Sequence, residues 1–86
     1  MSSSATNHVT PEAISPFDAR GVAKPFRHAA IFAALDSLQP GKSMRFCNDH
    51  DPIPLLNQLK ARYGDAVSIK YVQRESGAIV IDFACI

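Results

Sequence analysis

The strongest constraint on the fold of this chain is the spacing of apolar residues between residues 25 and 38. Ile31, Ala34, Leu35 and Leu38 follow the i, i+3, i+4, i+7 pattern that places side chains on one face of an α-helix. A Gln-Pro-Gly sequence follows directly and is typical of a helix end. The pattern therefore predicts an amphipathic helix over residues 25–38 that must bury one face against another layer.

Short strand-like runs surround this helix and complete the predicted order. Residues 13–18, 44–48, 67–74 and 78–86 have the composition of strands, and residues 54–63 have a second helical stripe. The last two strands are joined by a tight turn over residues 75–77, which is typical of a hairpin. The order βαβαββ predicts an α/β two-layer sandwich, with a four-stranded mixed sheet and both helices on one face.

Three further expectations concern the N-terminal residues, the first turn and the last strand. Residues 1–12 are rich in Ser and Thr and predict a flexible tail, which leaves residues 13–86 as a single domain. Gly21 lies in the turn after the first strand, where it is free to take a positive φ. The last strand has Ile79, Ile81 and Phe83 on one face, and its other face is only slightly more polar. We therefore expect a homodimer through the open face of the sheet.

Charge and hydropathy exclude two classes of partner. The chain has 86 residues and a formal net charge of +1, so it lacks the strong positive field of a nucleic-acid-binding protein. No window reaches the roughly 20 apolar residues that a membrane helix needs, and no secretory signal is visible. We expect a cytoplasmic protein in which Cys47 and Cys85 are thiols.

The most informative local motif is NDHDPIPL at residues 48–55, between the second strand and the second helix. Ligands in open α/β sheets bind beyond the carboxyl ends of parallel strands, which is the predicted place of this loop. His50 can act there as a metal ligand, a haem ligand or a proton-transfer group, with Asp49 or Asp51 orienting one ring nitrogen. The alternative is structural: the ring of His50 bonds backbone groups, and Asp51 acts as a turn or capping residue.

Several segments resemble a known fold. Residues 17–22 (FDARGV), Pro25, the helix end at residues 34–38 (ALDSL) and residues 40–42 (PGK) are similar to the TusA/SirA-like sulfur carriers. The NDHDPxPL motif resembles that of an uncharacterised bacterial branch of that fold, a domain-of-unknown-function family. The resemblance implies a two-layer sandwich. It also implies a setting in redox, sulfur or nitrogen-oxide metabolism, with hemerythrin-like or redox proteins as partners.

One departure from the carriers changes the expected chemistry. The carriers have Cys-Pro at the start of the first helix, where the helix terminus can stabilise a thiolate. This sequence has Lys24 before Pro25. Because lysine cannot carry sulfane sulfur, the resemblance implies a retained fold with a different activity.

The candidate site residues support three hypotheses. The first is a binding module, rather than an enzyme, that recognises a protein partner or a small anion such as a carboxylate or sulfur oxyanion. The second is sulfur or redox transfer through Cys47. The third is metal or haem binding by His50 with His28 or an aspartate. If the first two strands are parallel, the ligand-binding candidates lie on one rim of the sheet, and they are His50 with its flanking Asp49 and Asp51, together with Lys24, Arg27 and His28. Of these, Lys24, Arg27, His28 and His50 are the candidates for binding a small anion.

Overall fold

The structure is a computed structural model, and it describes residues 13–86. The predicted tail over residues 1–12 lies outside the described residues. The predicted order of helices and strands is confirmed, with two short 3-10 turns added at Ala19–Gly21 and Gly64–Ala66. The elements are β1 (Ile14–Asp18), α1 (Lys24–Asp36), β2 (Ser43–Asn48), α2 (Ile53–Tyr63), β3 (Val67–Glu75) and β4 (Ala78–Cys85).

The four strands form one mixed sheet in the order β1-β2-β4-β3. β1 pairs parallel with β2, whereas β4 runs antiparallel to both β2 and β3. The carboxyl ends of β1 and β2 therefore lie at the same edge of the sheet. α1 and α2 begin just beyond these two ends, so the topology brings the first turns of both helices together.

Both helices pack against the same face of the sheet and enclose the core. Ile31 and Leu35 of α1 and Leu55, Leu56 and Leu59 of α2 are buried in one cluster. The sheet contributes alternate residues of its two central strands, as period-2 alternation requires. These strand residues are Met44, Phe46, Ile79, Ile81 and Phe83. The two-layer α+β sandwich predicted from the sequence is confirmed.

The turn after β1 does not use the conformational freedom of Gly21. The φ of Gly21 is not positive, whereas Gly41, Gly64 and Gly77 have positive φ. Instead, residues 19–21 form a 3-10 turn that Asp18 caps by accepting a hydrogen bond from the Arg20 backbone N–H at 3.0 Å. This turn adopts right-handed geometry that any residue can reach, so the glycine is not required by its φ. Gly77, with φ 81°, forms the predicted hairpin turn.

The other face of the sheet is not covered by a helix. Residues between the core positions point to it, and Arg45 forms a bidentate ion pair across it with Asp82. Val72 lies at a β-bulge between Tyr71 and Gln73 and is about half exposed. Within residues 13–86, no helix has the length and hydropathy that a membrane crossing requires.

Candidate functional site

A small cavity lies between the first turns of α1 and α2, at the sheet edge where β1 and β2 end. Its volume is about 270 Å³. Its polar walls come from three elements of the chain, and its base is the closed surface of the core, where Ala19, Ile31, Phe46 and Leu55 are each at most 2% exposed. The side chains of the polar walls are Lys24, Arg27, His28, Asn48 and His50.

Helical spacing explains why one helix supplies three of these groups. Lys24, Arg27 and His28 stand at i, i+3 and i+4 of the first turns of α1 and therefore share a face. Ile31 continues the same face into the core. The face of α1 that packs against the core therefore carries basic side chains in the first turns of the helix, and there it forms one wall of the cavity.

Arg27 is the most unusual charge in the site. Its Nε donates to the carbonyl of Val22 at 2.7 Å, which fixes the guanidinium and leaves its two Nη groups for other acceptors. The other arginines each form an ion pair with an aspartate, and among residues 13–86 Arg27 alone has no carboxylate partner. The pairs are Arg20–Asp18, Arg45–Asp82, Arg62–Asp36 and Arg74–Asp51.

His50 reaches the cavity from the loop after β2, and Asp49 holds its ring. The two side chains meet at 2.7 Å between Nδ1 and Oδ1. The hydrogen bond from His50, with a smaller contribution from the charge of Arg27, lowers the pKa of Asp49. An ionised carboxylate can only accept, so Nδ1 carries the proton of this bond. Nε2 is therefore the ring nitrogen left for a ligand.

Asn48 anchors the start of the same loop. It is the buried polar residue of the described chain at 5% exposed, and its Oδ1 accepts a hydrogen bond from the Asp49 backbone N–H at 2.9 Å. The side chain lies at the last position of β2, on the face toward the helices. This contact uses the oxygen of the amide, so the NH₂ group is the part of Asn48 that can face a ligand.

Asp51 does not cap α2. The N-cap of this helix is Pro52, and no side chain caps it. Asp51 instead accepts a hydrogen bond from the Tyr71 hydroxyl and another from Arg74 Nε at 2.8 Å. These bonds, with that of Tyr71 the larger cause, lower the pKa of Asp51. Arg74 also stacks over the Tyr71 ring at 4.3 Å, so the three side chains fasten the loop to β3.

The first turns of both helices lack the usual polar caps. The N-cap of α1 is Ala23, which forms no side-chain cap, and neither helix has an acidic residue in its first turn. Pro25 and Pro54 occupy the N-terminal positions that need no hydrogen-bond partner. The positive end of the α1 dipole therefore adds to the field of Lys24 and Arg27 in the cavity.

The two cysteines lie away from the cavity. Phe46 and Asn48 are buried toward the helices, so Cys47 between them points to the open face of the sheet, beside Asp18 and Val80 in the register. Cys47 and Cys85 are both free thiols and partly exposed. A reaction at Cys47 would therefore take place on the opposite face from His50.

The described residues do not form a metal-binding cluster. Within residues 13–86, no three His, Cys, Asp or Glu side chains come close enough together to hold a metal ion. His50 and His28 line the same cavity, but the carboxylates beside His50 are engaged by other side chains. Metal or haem binding by His50 with His28 or an aspartate needs fewer protein ligands and stays a prediction.

The structure thus divides the residues that the sequence proposed. One cavity is lined by Lys24, Arg27, His28 and His50. The two loop aspartates do not line this cavity: Asp49 orients the ring of His50, and Asp51 fastens the loop to β3. Sequence reasoning did not include Tyr71 and Arg74 among the candidates. They lie 20 and 23 residues after Asp51, and only the pairing of β3 with β4 brings them to the loop.

Comparison with known proteins gives one match. The family model described as "Uncharacterized conserved protein (DUF2249)" matches residues 16–85, which is most of the chain. The chain therefore belongs to the DUF2249 family. No curated protein and no solved structure matches it.

Proposed function

We propose that this DUF2249-family domain is a binding module that takes a small anion into the cavity between α1 and α2. The observation that carries the proposal is Arg27, whose guanidinium lines the cavity and has no carboxylate partner among residues 13–86. An arginine held by one backbone carbonyl presents its Nη edge to an anion in fixed geometry. The module acts by recognition, without chemistry of its own.

Charge around Arg27 supports the same reading. Lys24 adds a second cation and the two histidines add ring nitrogens, and within residues 13–86 no Asp or Glu side chain lines this cavity. The formal net charge of the whole chain is only +1, so this is a local concentration of positive charge and not a property of the whole surface. A local site of this kind favours a small anionic ligand over an extended polyanion.

The size of the cavity limits the ligand. At about 270 Å³ it lies just below the range of roughly 300–1,000 Å³ that is typical of drug-sized ligands. A carboxylate or sulfur oxyanion fits this volume, either free or presented by a side chain of a protein partner.

We further propose that the domain shares the architecture of the TusA/SirA-like sulfur carriers and works in the cytoplasm, in redox, sulfur or nitrogen-oxide metabolism. Support comes from the βαβαββ order and from Lys24-Pro25 at the start of α1, where the carriers have Cys-Pro. In this proposal a cationic anchor for an anion replaces the sulfur-carrying thiol. Hemerythrin-like or redox proteins are its proposed partners.

The test is a calorimetric and NMR titration of the full chain with sulfate, thiosulfate, nitrite and acetate. We expect saturable binding of at least one anion, with chemical-shift changes that concentrate on residues of the cavity. Arg27→Gln should weaken binding about tenfold or more, because a hydrogen bond between charged groups contributes about 1.5–3 kcal/mol.

A matched control separates the cavity from bulk charge. Lys24→Gln should weaken binding, whereas Lys42→Gln makes the same charge change at the opposite end of β2 and should leave the affinity unchanged. Equal losses in both variants would mean that the anion responds to net charge alone. An absence of saturable binding across the panel would remove the proposal.

A second candidate, sulfur or redox transfer through Cys47, has its own supporting observation. The thiol is partly exposed on the open face, with Arg45 two positions earlier on the same face of β2. Incubation with a persulfide donor followed by mass spectrometry tests it. An adduct on Cys47 would support the candidate, and an unmodified Cys47 would remove it.

A further inference from the structure

We propose that the cavity binds a compact oxyanion together with a proton, and that His50 Nε2 carries this proton toward the ligand. The inference rests on the proposed function and goes beyond it, because it names the ligand class and a pH dependence for the same site. It is carried by two observations: the number of donors around the cavity, and the bond between Asp49 and His50.

The lining of the cavity combines apolar and polar groups. Pro52 and Pro54 line it together with the closed base of Ala19, Ile31, Phe46 and Leu55, so much of its accessible surface is apolar. The donors therefore decide the ligand class, because an anion with several acceptor oxygens can engage more of them than a ligand with a single acceptor group can.

The donors exceed what a single acceptor can use. Arg27 offers its two Nη groups, since its Nε is bound to Val22, and Lys24 offers three N–H bonds on a flexible stem. His28 and His50 add ring nitrogens from the two sides of the cavity. A tetrahedral oxyanion presents acceptors in several directions and matches this arrangement better than a planar carboxylate does.

The proton follows from the tautomer of His50. With Nδ1–H donated to the Asp49 carboxylate, Nε2 of a neutral ring has only a lone pair, which would repel an anion. Nε2 can donate to the ligand only when the ring is an imidazolium. Nε2 takes this proton from solvent. Binding of a dianion is therefore coupled to the uptake of one proton by His50.

The charged groups around His50 are of both signs. Asp49 and Asp51 on its own loop are acidic, and Lys24 and Arg27 of α1 are cationic. His50 also borders a shallow groove beside the β3–β4 hairpin, where β3 contributes one positive and one negative side chain. The groups facing His50 are Asp49 and Asp51 from the loop, Lys24, Arg27 and His28 from α1, and Arg74 and Glu75 from β3.

The experiment is calorimetry of the full chain with sulfate and thiosulfate, whose charge is constant over the pH range used. Titrations in two buffers of different ionisation enthalpy at equal ionic strength give the number of protons taken up. We expect net proton uptake, and an affinity about five- to tenfold lower at about pH 8 than at about pH 5.5, the interval in which histidine changes charge.

Variants assign the proton. His50→Asn should abolish most of the uptake and flatten the pH profile, while His28→Asn should keep the uptake. Asp49→Asn should reduce the affinity at low pH without removing binding, because the ring then loses the carboxylate that accepts from Nδ1 and orients Nε2 for the ligand. Uptake that survives in His50→Asn but disappears in His28→Asn would overturn the assignment to His50.

A comparison of sulfate with carboxylates of increasing length tests the ligand class. Sulfate should bind more tightly than acetate, because a tetrahedral anion can engage more of the donors than a planar carboxylate can. A longer carboxylate that binds more tightly than sulfate would show that the cavity recognises an apolar body and would overturn the ligand class. Anion binding without proton uptake would overturn the inference and leave the proposed function standing, whereas no binding of any anion would remove both.

Discussion

Lys24→Glu should stabilise the protein while weakening its anion site. Lys24 is the first residue of α1, and it is exposed. The N-terminal end of a helix carries a partial positive charge, which favours acidic side chains in the first turn. α1 has no acidic residue there and no side-chain cap, and Arg27 and His28 lie on the same face of the helix. The native lysine is therefore electrostatically unfavourable at this position.

The magnitude follows from the helix dipole. A favourable charge in the first turn contributes about 0.3–1 kcal/mol, and an unfavourable one costs a similar amount, so the exchange is expected to raise the free energy of unfolding by about 1 kcal/mol. For a domain of this size that corresponds to an increase in Tm of about 4–8 °C. The exposure of Lys24 makes the gain sensitive to salt, and about 1 M NaCl should remove most of it.

Thermal and urea unfolding, followed by circular dichroism at low and high salt, measure the effect. Lys60→Glu is the matched control, because Lys60 lies in the last turn of α2, where the dipole favours a cation. The same charge change should there lower Tm. If Lys24→Glu lowered Tm, or if both variants shifted it in the same direction, the argument from helix ends would be refuted. Anion affinity should fall in Lys24→Glu and be unchanged in Lys60→Glu.

Three further predictions concern the loop, acid stability and the start of α1. Tyr71→Phe removes a donor to Asp51 and should lower the free energy of unfolding by about 1–2 kcal/mol in urea titrations; an unchanged urea midpoint would contradict the fastening of the loop to β3. Lys24→Cys should introduce a thiol whose pKa the helix terminus and Arg27 lower, so iodoacetamide should modify it at lower pH than Cys47, and equal rates would contradict this. The free energy of unfolding should have its full value above about pH 4 and fall as the pH decreases through the lowered folded-state pKa values of four carboxylates, because these groups hold protons less tightly in the folded chain than in the unfolded chain. Urea midpoints at decreasing pH measure this loss. A urea midpoint that stays constant to about pH 2 would contradict this last prediction. The four carboxylates, each with the partner whose hydrogen bond contributes most to its lowered pKa, are Asp18 with Arg20, Asp36 with Tyr63, Asp49 with His50, and Asp51 with Tyr71.

The fold was predictable because hydrophobic periodicity is local. The stripe at Ile31 and Leu35 and the alternation at Ile79, Ile81 and Phe83 each indicate an element and its buried face without reference to the rest of the chain. Element boundaries moved by one or two residues, as at α1, which begins at Lys24. The conformation of Gly21 was left open by the sequence, because the cap from Asp18 decides that turn and a glycine alone does not reveal it.

The candidate site was predictable only in part, because half of it depends on topology. The parallel pairing of β1 with β2 follows from the crossover helix, and it places the starts of α1 and α2 at one edge. The absence of a carboxylate partner for Arg27 among residues 13–86 depends on where every aspartate lies in space. The same is true of Asp51, whose partners Tyr71 and Arg74 come from β3. A single sequence does not contain these distances.

The two helix starts around the cavity differ in a way that indicates which one faces the ligand. Both lack side-chain caps, and both have a proline in the first turn. The first turn of α2 is otherwise apolar, so it violates no electrostatic preference, whereas that of α1 combines Lys24 with Arg27 and His28 against the helix dipole. Sequences depart from local preferences mainly at functional sites. An incoming anion would neutralise the unfavourable positive charge at the start of α1. Ligand binding and Lys24→Glu would therefore both relieve the same repulsion between these cations and the helix dipole.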